Sequence, residues 1–162
     1  MQHANKTILK KSAFILLLAS FGVFQSAWAD NNKEKAESDA WRTDFEAAKA
    51  EAAKEEMPML LNFTGSDWCH WCQKLDDEVF SQSAFKEYAD NLVLVKLDFP
   101  RNKEQSEEVK QQNRKLAQKY GVQGFPTILV LSPEGELVKK TGYRPDGAEA
   151  YVKHLKSIVS DI

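Results

Sequence analysis

Cysteine is nearly absent. The 162 residues contain two, Cys69 and Cys72, both inside one short stretch, "GSDWCHWCQK". A disulfide framework needs several pairs spread along the chain, so that class is excluded. A structural staple across so short a loop would add little, because the entropy it removes from the unfolded chain is small. Histidine is scarce as well: His3, His70 and His154 are the full set. A zinc site needs a second pair of ligands beside the cysteines, and His3 and His154 lie far from them in sequence. Haem attachment needs histidine directly after the second cysteine, where this chain has Gln73. The longest apolar run falls well short of the ~20 residues of a spanning helix. Lysine and arginine total 22 against 24 acidic residues, so there is no basic excess of the kind that binds nucleic acid. There are no internal repeats.

The N-terminus has its own pattern. Lys6, Lys10 and Lys11 precede the apolar stretch "AFILLLASFGVF", Ala13 to Phe24, and "AWA" places small residues at Ala27 and Ala29. This predicts a secretory signal peptide over residues 1–29, cleaved before Asp30. No cysteine follows that point, which argues against a lipid anchor. Loss of three lysines and no acids takes the formal charge from −2 to −5 and leaves 133 residues, enough for one domain. The polar stretch "DNNKEKAESD" predicts a flexible lead over residues 30–39, followed by a single domain over 40–162. Export places the cysteines in an oxidising compartment, the periplasm, where disulfides persist.

Apolar spacing at Trp41, Phe45, Ala48 and Ala52 predicts a helix from about Asp39 to Glu56, with Ser38 or Asp39 as cap and Pro58 beyond its end. "MLLNF", Met59 to Phe63, reads as a buried strand. Two helical pieces follow the cysteines, the second capped by Ser81 or Ser83. Leu92 to Phe99 is a strand and Lys103 to Tyr120 a charged helix. Its apolar stripe is Val109, Asn113, Leu116, Ala117 and Tyr120, and Gly121 stops it. Thr127 to Ser132 and Leu137 to Tyr143 form a hairpin about the turn "SPEGE". A last amphipathic helix starts at Gly147. Strands separated by helices imply parallel pairing, and the hairpin adds an antiparallel strand. The class is therefore α/β.

A C-x-x-C that leaves a buried strand and opens a helix has a chemical meaning. Unpaired N–H groups and the helix dipole favour a thiolate on the first cysteine. The thiolate is the attacking species in disulfide exchange. The second cysteine, one turn in, can close a disulfide with the first. This reading makes Cys69 the nucleophile and Cys72 the resolving thiol, with no cofactor or metal. Trp68 and Trp71 provide either apolar cover for a substrate or ordinary core packing. Pro126, directly before a strand, reads either as a trans opener or as a cis turn residue; the sequence by itself favours the trans form.

"LLNFTGSDWCHWCQKL", "LVLVKLDF" and "YGVQGFPTILVLSPEGELV", in this order, resemble the thioredoxin superfamily over nearly all of the predicted mature chain. Within it the motif is similar to exported disulfide reductases of the DsbH type. The resemblance implies a thioredoxin fold, a central mixed sheet flanked by helices, here with an extra N-terminal helix. It implies an exposed nucleophile at Cys69, a buried resolving Cys72, a cis-proline at Pro126 that holds substrate backbone, and substrate contact and redox influence at Phe125. Lys96 matches a lysine beneath the active site of many thioredoxins, or is a strand-end surface lysine. Where the family carries a buried aspartate this chain has Asn62, and Asp67 or a water is the available substitute as proton acceptor. His70 either stabilises the Cys69 thiolate as a cation or points to solvent. The implied activity is reduction of disulfides in exported proteins by a monomer recharged by a DsbD-type membrane thiol-transport protein. The alternatives are an oxidase, an isomerase, or a non-catalytic binding or chaperone module.

Overall fold

The computed structural model describes residues 40–162. The expected signal peptide, the lead, and the cap candidates Ser38 and Asp39 lie outside the described residues.

The hydrophobic run Met59–Thr64 forms β2, buried at every position. It sits at the centre of a five-stranded sheet of order β1-β3-β2-β4-β5, with β1 at Trp41–Arg42, β3 at Val93–Asp98, β4 at Thr127–Leu131 and β5 at Leu137–Thr141. β3 runs parallel to both β1 and β2, β4 runs antiparallel to β2, and β5 is antiparallel to β4. Strand alternation sorts side chains between two faces. Met59, Leu61 and Phe63 pack with Val93, Val95 and Leu97 beneath α1 (Phe45–Glu55) and α4 (Glu107–Lys119). Leu60, Leu94, Ile128 and Val130 face the other way. They pack beneath α2 (His70–Leu75), its π-wound continuation Asp76–Phe80, α3 (Ser83–Ala89) and α5 (Gly147–Val159). The expected mixed sheet between helical layers is present.

Several boundaries differ from expectation. Trp41 is not on the N-terminal helix but in β1, opposite Leu94, where it caps the backbone edge of β3. Its ring stacks over Phe85 and meets Phe80. The helix begins only at Phe45, capped by Asp44, whose carboxylate accepts from the Ala47 amide. Ser81 and Ser83 do not cap α3; Gln82 holds that position without a side-chain bond, while the Ser81 hydroxyl donates to the Asp77 carbonyl. α4 starts at Glu107 behind the cap Ser106, four residues later than its charge pattern implies. Residues 99–105 are instead held as a loop against the cysteine motif. The expected turn is present: the Gly135 amide donates to the Ser132 carbonyl, and Gly135 adopts φ +86°.

Candidate active site

β2 feeds the loop 65–68, and α2 opens with Cys69 as its N-cap. The Cys69 backbone is extended, and its Sγ accepts from the Cys72 amide at 3.2 Å. A side chain at this position takes up one of the unpaired amides of the first turn, and the same amide and dipole favour negative charge on the sulfur. Cys72 lies one turn in, on the buried face with Leu75. The two cysteines are joined as a disulfide with Cα atoms 5.2 Å apart. They are 6 % and 5 % exposed, so the expected contrast between an exposed first and a buried second cysteine is absent in this form. The bond itself covers each sulfur with the other. Helix position, not exposure, sets them apart.

Two loops hold each other in front of this turn. The Asp98 carboxylate, at the end of β3, accepts from the Ser66 amide at 2.9 Å and from its hydroxyl at 2.6 Å. In the reverse direction, the Asp67 carboxylate accepts from the amides of Arg101 and Asn102. Those amides hold the Asp67 carboxyl below the usual carboxylate range. This places Asp67 as an anchor for residues 101–102, a different task from the proton transfer suggested for it. Trp68 completes the clamp. Its indole N–H donates to the Phe99 carbonyl at 2.8 Å, its ring meets Phe125 edge-on, and the Arg101 guanidinium lies 3.9 Å from the ring centre. A Cβ on Gly65 would come within 2.5 Å of that indole.

Trp71 has the opposite character. It is 53 % exposed and packs on Tyr143, with His70 against its edge. Lys74 lies within 6 Å of both the Trp71 and Tyr143 ring centres. Glu78 accepts from the Tyr143 hydroxyl at 2.6 Å and pairs with Lys74 at 3.3 Å. The Tyr143 bond holds the Glu78 carboxyl low and raises the Tyr143 phenol, and Glu78 raises the Lys74 ammonium. His70 is exposed, with its ring contact to Trp71 rather than to a charged group.

The Phe125–Pro126 peptide bond is cis. Pairing of Thr127 with Phe63 sets Pro126 level with the end of β2, where the cysteine loop departs. Phe125 packs on Trp68 and Phe99. Lys96 is half-buried and sits directly across from Asn62 on the neighbouring strand. Asn62 is buried, and its carboxamide oxygen has no hydrogen-bond partner. His154 is far from this region in the chain; its ring bonds the Thr141 hydroxyl, and burial lowers its pKa.

Sequence reasoning missed Ser66, Asp98, Phe99, Arg101, Lys74, Glu78 and Tyr143. One signal was available for Asp98: parallel pairing sets it beside Thr64, two residues before Ser66.

A thioredoxin fold that carries a disulfide-bonded C-x-x-C at the start of a helix defines a protein of thiol–disulfide exchange. The chain belongs to the thioredoxin-like family, whose model matches residues 40–133. It is 39 % identical over 118 residues to the disulfide bond reductase DsbH of Chlamydia pneumoniae, covering 72 % of this chain and 70 % of that protein. It is 30 % identical over 99 residues to the thiol:disulfide interchange protein DsbD of Campylobacter jejuni, covering 61 % of this chain but 16 % of that one. The solved structure of a DsbH oxidoreductase superposes with a TM-score of 0.71 at 37 % identity, covering 74 % of this chain and 83 % of that one. The protein is a thiol–disulfide oxidoreductase of the DsbH/DsbD type with a Cys69–Cys72 pair.

Proposed function

We propose that the protein is an exported disulfide reductase of the periplasm. The observation that carries this reading is Cys69 as N-cap of α2, its sulfur held by the Cys72 amide and bonded to Cys72, in a chain 39 % identical to a disulfide bond reductase. In the reduced enzyme the Cys69 thiolate attacks one sulfur of a substrate disulfide. That S–S bond breaks, a mixed disulfide forms, and the other substrate sulfur leaves as a thiol. The Cys72 thiolate then attacks the Cys69 sulfur, releases the second substrate thiol, and closes the Cys69–Cys72 disulfide. A donor dithiol of the DsbD type returns the two electrons.

Trp71 provides an open aromatic surface for an unfolded or extended substrate, and Trp68, Phe125 and Pro126 complete the substrate contact. His70 and Lys96 tune the pair, and Asp67 acts through the loop that it anchors. The protein works as a monomer. No described helix is long and apolar enough to cross a membrane. Residues 1–29 act as the signal peptide, and protein recovered from the periplasm should begin at Asp30.

The test is insulin reduction by dithiothreitol. The protein should accelerate it, and Cys69→Ser should fall to the uncatalysed rate. Full activity in Cys69→Ser would sink the mechanism. A reduction potential near the roughly −120 mV of strong oxidants would instead make the protein an oxidase.

A further inference from the structure

Trp71 is more than half exposed, at the second residue of α2, yet its ring has a fixed support. It packs on Tyr143, with ring centres 5.2 Å apart and planes 44° to each other. Trp71, Lys74 and Glu78 stand three and four residues apart, so they share one side of α2 and its π-wound continuation. Tyr143, from the segment between β5 and α5, meets all three. Its ring carries Trp71 and lies 5.9 Å from the Lys74 ammonium, and its hydroxyl donates to Glu78 at 2.6 Å. Lys74 closes the group by pairing with Glu78 at 3.3 Å.

Tyr143 is itself rooted. Its ring packs against the buried cluster that holds Leu60, Phe80 and Tyr151. The two residues before it are tied as well. Thr141 shares a hydrogen bond with the His154 ring at 3.1 Å, and the Gly142 carbonyl accepts from the Tyr151 hydroxyl at 3.1 Å. A Cβ on Gly142 would stand 3.2 Å from the Pro126 carbonyl oxygen. One short segment thus meets Pro126 through Gly142 and Trp71 through Tyr143. We infer that Tyr143 is a positioning residue for substrate capture: anchored by Glu78, it fixes the open Trp71 ring before a protein disulfide arrives. This rests on reading Trp71 as the substrate surface. A ring already held in place loses less freedom when a substrate covers it, so its support is felt as affinity.

The experiment measures steady-state insulin reduction with dithiothreitol for Tyr143→Ala, Trp71→Ala and the double variant. Tyr143→Ala should raise KM for insulin roughly 2- to 10-fold, the worth of one aromatic pair, with a smaller change in kcat. Tyr143→Phe keeps the ring and loses the anchor, so its KM should fall between those of wild type and Tyr143→Ala. Glu78→Ala removes the same bond from the other side and should match Tyr143→Phe, whereas Glu78→Gln keeps an acceptor and should stay nearer wild type. These milder variants carry the test if Tyr143→Ala does not fold. Because Tyr143 acts through Trp71, adding Tyr143→Ala to Trp71→Ala should move KM by less than about twofold. Additive effects would make Tyr143 a direct substrate contact and overturn the positioning role. In NMR relaxation the Trp71 indole N–H should be rigid in the wild type and mobile in Tyr143→Ala. An equally rigid indole, or a wild-type KM in the Tyr143 variants while Trp71→Ala is impaired, overturns the inference alone. A wild-type KM in Trp71→Ala would instead overturn the reading of Trp71 as the substrate surface, and the inference with it.

Discussion

Trp68 and Trp71 flank the same cysteine yet hold opposite positions. Trp68 is fixed by a hydrogen bond, an edge-on ring and a stacked guanidinium, whereas Trp71 keeps half its surface open. Trp71→Ala should therefore change stability by no more than about 0.5 kcal/mol, as for most surface positions. It should raise KM for a protein disulfide while leaving the reaction with a small disulfide near wild type, and steady-state kinetics on the two substrates check this. Asp67 gives a pH prediction. Its folded pKa lies below that of the unfolded chain, so its anchoring is present above the ordinary aspartate range of about 3.9 and is lost as pH falls through the folded value. The NMR amide signals of Arg101 and Asn102 should hold steady down to about pH 4 and move together below it. A midpoint above the ordinary value would contradict the assignment. The cysteine pair was legible because its chemistry is local in sequence. Asp98 and Tyr143 were not, since their partners Ser66 and Glu78 stand 32 and 65 residues away.

Among the elements, β2 and β3 were readable because strands buried on both faces are continuous apolar runs. The start of α1 was not. Trp41 fits a helical period, but pairing with β3 and stacking on Phe85 outweigh that local preference. The late start of α4 has a similar cause, since the amides of residues 101 and 102 are taken by Asp67. The loop between β2 and α2 depends on a missing side chain. In Gly65→Ala the new methyl would overlap the Trp68 indole, so the ring must shift and strain its bond to Phe99. A loss of roughly 1–3 kcal/mol is expected, by analogy with overpacked sites, in urea unfolding of the oxidised protein. An unchanged midpoint would mean that Trp68 can move without cost.

At the scale of the whole molecule the family was readable from three motifs in order, while the antiparallel β2–β4 pairing lay beyond the reach of local patterns. The reciprocal bonds between the loop 65–68 and the end of β3 with the loop that follows it have a consequence for how the folded chain breathes. Ser66 is protected by a carboxylate at the end of β3, directly before the second loop, and Arg101 and Asn102 by one on the first loop. Adjacent residues of each segment hold the other, so opening at one set of bonds should loosen the second. The three amides should thus exchange with deuterium through one shared opening, although they stand up to 36 residues apart. Asp98→Ala should accelerate exchange at Arg101 as well as at Ser66. Separate opening energies at the two places would show the loops to be independent. A common one would make the rim of the cysteine pair a single cooperative unit, closed or open as a whole.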